Sequence, residues 1–469
     1  MGNNSHMTRV VILGGGPAGY EAAFVAARAG AEVTVIEKDG LGGSAVLTDC
    51  VPSKTLIATS ELMTLAAGSG ALGVRVGGEE PSPDVMSADL GVVNGRVRDL
   101  ATAHSADITL ALKELGVRVL RGRGRLDGPG HVFVEHTGGT TTCDADAILI
   151  ATGARPRVVA DAEPDGERIF TWDQVYDLKA LPEHLIVVGS GVTGAEFASA
   201  YDALGSQVTL VSSRDRVLPG EDSDAAQVLE DVFIRRGMKV LSRARAKSAK
   251  ATADGVIVTL SDGRTIEGSH CLMAVGSLPN IEDMGLESAG VTFTDRGFVA
   301  VDRVSRTSVR HVYAAGDVTG VLMLASVAAA QGRIAMTHVL GHAVSPLHLD
   351  SVSSNVFTDP EIATVGLTQV QIDESGLDVR TVKLPLATNA RAKMQGIHDG
   401  FVKLHCRTGT GIVVGGVIVA PRASELIFPI SMAVEQRLTV DHIADSYTVY
   451  PSLSGSVAEA ARQLHQQRN

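Results

Sequence analysis

The stretch Gly42-Gly43-Ser44-Ala45-Val46-Leu47-Thr48-Asp49-Cys50-Val51-Pro52-Ser53-Lys54 sets one thiol and one ammonium group four residues apart. The thiolate is the reactive form of cysteine, and a neighbouring cation favours it. Thiol–disulfide exchange needs a second sulfur, and none is close: Cys143, Cys271 and Cys406 lie far along the chain. The stretch therefore looks like a redox site with one of its two sulfurs missing. The distant cysteines sit beside strand-like runs and read as small packing residues. Their spacing forms neither a metal knuckle nor a Cys-x-x-Cys pair, so no metal is expected and a reducing, cytoplasmic setting is.

Two glycine loops carry the elements that would position such chemistry. Val10-Val11-Ile12-Leu13 reads as a strand running into Gly14-Gly15-Gly16-Pro17-Ala18-Gly19, then a helix, then a strand Glu32 to Ile36 that ends on Glu37, 23 residues beyond Gly14. Gly14 permits the tight turn, Gly16 the approach of a pyrophosphate, and Gly19 the close packing of helix on strand. Glu37 accepts the hydroxyls of an adenosine ribose. The unit recurs at Leu185–Val188, Gly189, Gly191 and Gly194, followed by a strand from Gln207 to Val211. Two such units imply two dinucleotides. In the second, Ser212 replaces the acid and Arg214 and Arg216 follow. That removes the repulsion of a 2′-phosphate, so NADPH is expected to be tolerated beside NADH; the alternative is that the arginines cap a solvated loop. Ala151-Thr152-Gly153 and Val275-Gly276 read as chain crossings between domains, and Asp317 closes another short buried strand.

The chain has 469 residues, 45% hydrophobic and 20% charged, which implies two to four packed domains. The net charge of −12 has no basic blocks, and with one Trp and six Tyr there is little to stack on bases, so nucleic acid is excluded as a partner. No apolar run approaches the ~20 residues of a membrane span. Residues 1–7 read as a leader attached ahead of a native initiator, Met7, and stand outside the fold reading.

The ordered set from Gly14 to Glu37, Gly42-Gly43 to Lys54, Ala151-Thr152-Gly153, Gly189 to Glu196 and Tyr313-Ala314-Ala315-Gly316-Asp317 resembles the pyridine nucleotide-disulfide oxidoreductases, with lipoamide dehydrogenase the nearest well-known branch. Phe357 to Gly366 resembles the opening of that family's dimerisation domain. The resemblance implies an α/β protein with two Rossmann-like three-layer domains and an α+β C-terminal dimerisation domain. FAD would occupy 8–155 and 276–345, NAD(P) 156–275, and the interface 346–469, giving a homodimer. By the same resemblance Gly14, Gly16, Gly19, Glu37, Lys38, Ser44, Lys54, Gly124, Thr152, Gly153, Asp317 and Ala325 hold FAD. Gly189, Gly191, Gly194, Glu196, Ser212, Arg214 and Gly276 hold NADPH or NADH. Lys54 sits near the flavin with Glu196 as its ion-pair partner beside the nicotinamide; each charge is costly to bury alone and tolerable when paired.

The departures from the family decide the expected activity. Its disulfide reductases keep two cysteines where this chain has Ala45 and Cys50, so the interchange step is lost. A C-terminal catalytic His and its orienting Glu are replaced by Tyr450 and Gly455, and a tyrosine is a poor proton shuttle near neutral pH. These losses beside intact glycine loops resemble NAD(P)H:quinone reductases of lipoamide-dehydrogenase ancestry. The expectation is hydride transfer from NAD(P)H to FAD, then electron transfer to a small quinone, with Tyr450, Thr448 and Phe357 as an apolar wall. Two alternatives stand: a single-cysteine thiol reductase using Cys50, or a non-catalytic FAD-binding dimeric subunit. Cys50 itself is either a flavin neighbour or a retained packing residue.

Overall fold

The computed structural model describes residues 7–82, 86–128 and 130–466; Met1–His6 of the expected leader lie outside them. The chain divides into two compact units. The first comprises the residues up to Thr55 with Asn94–Arg157 and Ser277–Leu347; the second comprises Leu56–Val93, Val158–Gly276 and the residues from His348 on.

The first unit is built on a seven-stranded sheet in the order Val312–Ala314, Ala147–Ile150, Arg9–Leu13, Glu32–Glu37, Arg118–Leu126, His131–His136, Gly139–Asp144. The first five strands are parallel and the last two turn antiparallel. Val10, Val11, Ile12 and Leu13 are all at most 2% exposed, the continuous burial of a strand covered on both faces. The helix Pro17–Arg28 starts on proline, which suits a first-turn position. It buries Ala18, Ala22, Ala23 and Ala26, small residues that let a second helix, Ala325–Val339, approach closely. A Cβ on Gly332 of that helix would lie 2.1 Å from the Ala18 carbonyl oxygen.

The second unit holds a five-stranded parallel sheet, ordered Lys239–Leu241, Gln207–Val211, His184–Val188, His270–Met273, Ile169–Thr171. An antiparallel three-stranded sheet, Ala246–Ala251, Val256–Leu260 and Thr265–Gly268, accompanies it. Downstream, an antiparallel five-stranded sheet runs Ser353–Val356, Glu361–Gly366, Val413–Ala420, Phe401–Arg407, Val379–Pro385. Its core of Val402, Leu404, Ile418 and Ala420 packs under residues of the helices Phe428–Glu435 and Gly455–Gln466. The segments read as crossings meet as a two-stranded antiparallel ribbon, Ala154–Pro156 against Ser277–Pro279, beside the boundaries of the two units.

Candidate functional site

The first glycine loop is shaped by steric exclusion. Gly14 has φ +105°, which L side chains rarely adopt, and a Cβ on Gly19 would fall 2.0 Å from the Gly14 carbonyl oxygen. Gly16 is the N-cap of the helix and has no side-chain cap, so the first-turn amides there have no intrahelical acceptors. Glu37 is tied into the same loop: one carboxylate oxygen accepts from the Gly15 amide at 2.6 Å and the other from the Asp39 amide at 2.7 Å. Lys38 points outward and pairs with Asp39 at 3.2 Å. The next turn folds back on the loop: the Gly42 amide donates to the Gly15 carbonyl at 2.8 Å, and a Cβ on Gly43 would sit 2.8 Å from the Gly16 Cα. At Gly124 a Cβ would meet Leu13 at 2.5 Å, so only bare backbone fits at that point of the sheet.

From this turn the short helix Gly43–Leu47, which carries Ser44 and Ala45, leads into the long helix Cys50–Gly68. Cys50 and Lys54 are one turn apart on it, on one face. Cys50 is half-buried, Cys143, Cys271 and Cys406 are buried in strands, and none of the four is in a disulfide. Thr152 is not available as a bare hydroxyl: it donates to the Asn280 carbonyl at 2.7 Å while the Asn280 amide donates back to the Thr152 carbonyl at 2.9 Å. Gly153 has φ +70° and accepts the Asn280 amide. Asn280 thus closes the loop, a role no local motif announces.

Asp317 lies just past the strand Val312–Ala314, and burial, then the nearby Asp49 charge, pushes its carboxyl up to about 6. The preceding turn is pinned by the buried Gln331, whose side-chain oxygen accepts the Gly316 amide at 2.8 Å. Ala325 opens a 15-residue helix whose N-cap, Leu324, supplies no side-chain cap. A carboxyl raised by burial and a loop in which Gly14, Gly19 and Gly43 leave no space for a Cβ fit a dinucleotide whose hydroxyls satisfy the acid and whose pyrophosphate meets the amides, as FAD would.

The second loop repeats the geometry. Gly189 has φ +113°, and a Cβ on Gly194 would lie 1.8 Å from the Gly189 carbonyl oxygen. Gly191 caps the helix Val192–Leu204, and Gly276 has φ +95°. Ser212, at the position of the missing acid, turns its side chain into the loop. It is completely buried, its hydroxyl 2.7 Å from that of Ser190 and within reach of the Arg214 and Arg216 carbonyls. The short side chain turns inward because those loop carbonyls need a donor. Arg214 is exposed, and the buried Nε of Arg216 has no hydrogen-bond partner among the described residues.

Glu196 lies on the helix Val192–Leu204, 4% exposed, and its Oε1 accepts the Phe357 amide at 2.8 Å. Phe357 is half-buried, whereas Tyr450 is 85% exposed and Thr448 is exposed, so within one chain the three form no buried wall. Gly455 starts the last helix, its amide donating to Ser452 Oγ. Sequence reasoning missed Asn280, whose partner Thr152 lies 128 positions away, and Gln331, which no motif marks.

Comparison with known proteins agrees with this geometry. Residues 8–332 match the model of the pyridine nucleotide-disulphide oxidoreductases, and 352–461 match the dimerisation domain of the same name. An NAD(P)H dehydrogenase (quinone) of Mycobacterium tuberculosis is 54% identical, over 98% of this chain and 94% of its own. A dihydrolipoyl dehydrogenase of Chlorobaculum tepidum is 35% identical over 96% of each. The crystal structure of LpdA from Mycobacterium tuberculosis superposes with a TM-score of 0.92 at 54% identity, covering 98% of this chain and 100% of that one. The HOCl-induced flavoprotein disulfide reductase RclA from Escherichia coli gives 0.85 at 25% identity, over 97% and 99%. With both of its glycine loops and its C-terminal sheet falling inside these matches, the chain belongs to the pyridine nucleotide-disulphide oxidoreductase family.

Proposed function

We propose that the chain is an FAD-dependent NAD(P)H:quinone oxidoreductase that works without a redox disulfide. The observation that carries the reading is that Cys50 is in no disulfide and Ala45 stands where the family has the second cysteine, while both glycine cradles are intact. The relative of similar length at 54% identity, named for quinone reduction, supports it.

Bound FAD would supply the two-electron relay between nicotinamide and quinone. The chain's own residues bind and orient. The amides after Gly16 and Gly191 meet pyrophosphates. Glu37, already aimed by the Gly15 amide, takes the adenosine ribose, and Asp317 accepts from a ribityl hydroxyl. We assign Lys54, one turn from Cys50 on the same helix, to the flavin and Glu196 to the nicotinamide. The unpartnered Arg216 Nε and exposed Arg214 support a 2′-phosphate site and hence NADPH. Tyr450 contributes to the acceptor site of a homodimer built on 346–469. The FAD domain spans 8–155 and 276–345, and the NAD(P) domain 156–275. No helix among the described residues is long and apolar enough to cross a membrane, and four cysteines in no disulfide favour a reducing cytoplasm.

The test is anaerobic mixing of the yellow protein with NADPH and then menadione, with lipoamide as the control. Bleaching followed by recovery on menadione alone is expected; failure to bleach, or recovery with lipoamide, overturns the reading.

A further inference from the structure

We propose that the segment Phe357–Asp359 is the seat that orients Glu196 for hydride transfer, and that Ser199, Asp359 and Arg236 are positioning residues that hold this seat. The inference rests on the reading of Glu196 as the acid beside the nicotinamide.

One helix face makes both attachments. Glu196 accepts the Phe357 amide at 2.8 Å, and Ser199, one turn further on, accepts the Asp359 amide through Oγ at 3.2 Å. Thr358, between them, is 3% exposed, and its hydroxyl donates to the Pro360 carbonyl at 2.7 Å, so the segment is tied internally. The Asp359 carboxylate then meets the Arg236 guanidinium at 2.7 Å. Arg236 is the C-cap of the neighbouring helix Ser223–Arg235. It also faces Asp202, whose carboxyl burial pushes up to about 6 while the Arg236 charge pulls it down.

A main-chain donor on one carboxylate oxygen fixes the plane of that carboxylate, and a charge-assisted bond of this kind is among the stronger ones in proteins. The segment that carries the donor is itself held by three further contacts. A carboxylate beside a hydride path must hold its place to a fraction of an ångström, because small misplacements of reacting groups lower rates steeply. Two helices of the nucleotide fold and one segment leading to the C-terminal sheet therefore set a single oxygen atom. Ser199 is 5% exposed and spends its hydroxyl on this segment, which a surface-filling role does not require.

The experiment compares holoenzyme carrying Glu196→Gln, Ser199→Ala, Asp359→Asn, Arg236→Ala or Arg236→Lys with the parent. Each is mixed anaerobically with NADPH or with NADPH deuterated at the transferred hydrogen. Hydrogen exchange at the Phe357 amide is followed separately. Ser199→Ala and Asp359→Asn should lower the limiting rate of flavin reduction about tenfold or more, leave half-saturation by NADPH little changed, and speed Phe357 exchange. Arg236→Lys should recover most of what Arg236→Ala loses. Parental reduction rates in Ser199→Ala and Asp359→Asn beside a slow Glu196→Gln overturn the proposal while the reading of Glu196 stands. So does a change confined to half-saturation. A parental rate in Glu196→Gln overturns that reading itself.

Discussion

Lys403 is the sharpest place to perturb the second unit. Its ammonium nitrogen lies 2.8 and 2.7 Å from the two oxygens of Asp222 and 2.6 Å from Asp224, and stands over the Phe401 ring at 5.5 Å. The side chains of Lys403 and Asp222 are only 3% and 2% exposed. Lys403→Met keeps the hydrocarbon stem and removes the charge, leaving Asp222 ionised and buried. Breaking a buried pair from one side costs about 3–5 kcal/mol. Asp222 retains the Asp224 and Ala225 amides, which it caps at 3.0 and 3.2 Å, and Asp224 is partly exposed with Lys383 still beside it at 3.1 Å. Those remaining partners bring the expected loss down to about 3 kcal/mol. Asp222→Asn keeps the cap acceptor and should cost about 1–2 kcal/mol. The double variant buries no unmatched charge and should be milder than the sum by at least about 1 kcal/mol. Urea unfolding followed by fluorescence measures all three, because the single tryptophan, Trp172, is buried in the same unit. A loss below about 0.5 kcal/mol in Lys403→Met, or strict additivity in the double variant, refutes the reasoning.

Three other outcomes are expected. Gly19→Ala and Gly194→Ala put a methyl group 2.0 and 1.8 Å from carbonyl oxygens; the first should be purified without yellow flavin, while the second stays yellow and loses NADPH binding by titration. Buried His405, its Nδ1 bonded to Thr381 at 2.8 Å, is held down to about 4 by burial and then by the Lys403 charge, against Asp222 and Asp373, which raise it. The unfolded chain takes up the proton near 6.5, so stability should rise with pH between about 4 and 6.5, by at most about 3 kcal/mol, and His405→Gln should flatten that slope in urea titrations. Cys50→Ser should leave NADPH:menadione turnover close to parental, whereas a thiol-reductase route through Cys50 requires its loss.

What could be read from the chain was local. Gly14 to Glu37 and Gly189 to Gly194 announce themselves because the turn, the close approach and the following strand lie within a few dozen residues, and their geometry excludes any other side chain at Gly19 and Gly194. That Cys50 forms no disulfide follows equally from the absence of a neighbouring sulfur. What escaped depends on distant parts of the chain meeting: Asn280 closes on Thr152 from 128 positions away, Phe357 reaches Glu196 across 161, and Lys403 reaches Asp222 across 181. No periodicity encodes such meetings. The direction of the Ser212 side chain was not legible either, because it is set by hydrogen bonds to Ser190 and to the Arg214 and Arg216 carbonyls.

That inward-facing serine limits how cofactor preference can be redesigned. A common design idea is to place a carboxylate at the end of the second strand so that it repels a phosphate and selects NADH. Here Ser212→Asp would put a larger, charged side chain in a fully buried position beside the Arg214 and Arg216 carbonyls, with the Ser190 hydroxyl and the Arg214 amide as the nearest donors. The loop would have to be rebuilt before the ligand was ever discriminated. Charge at this site is more accessible to change through Arg214, which is exposed, than through the buried serine.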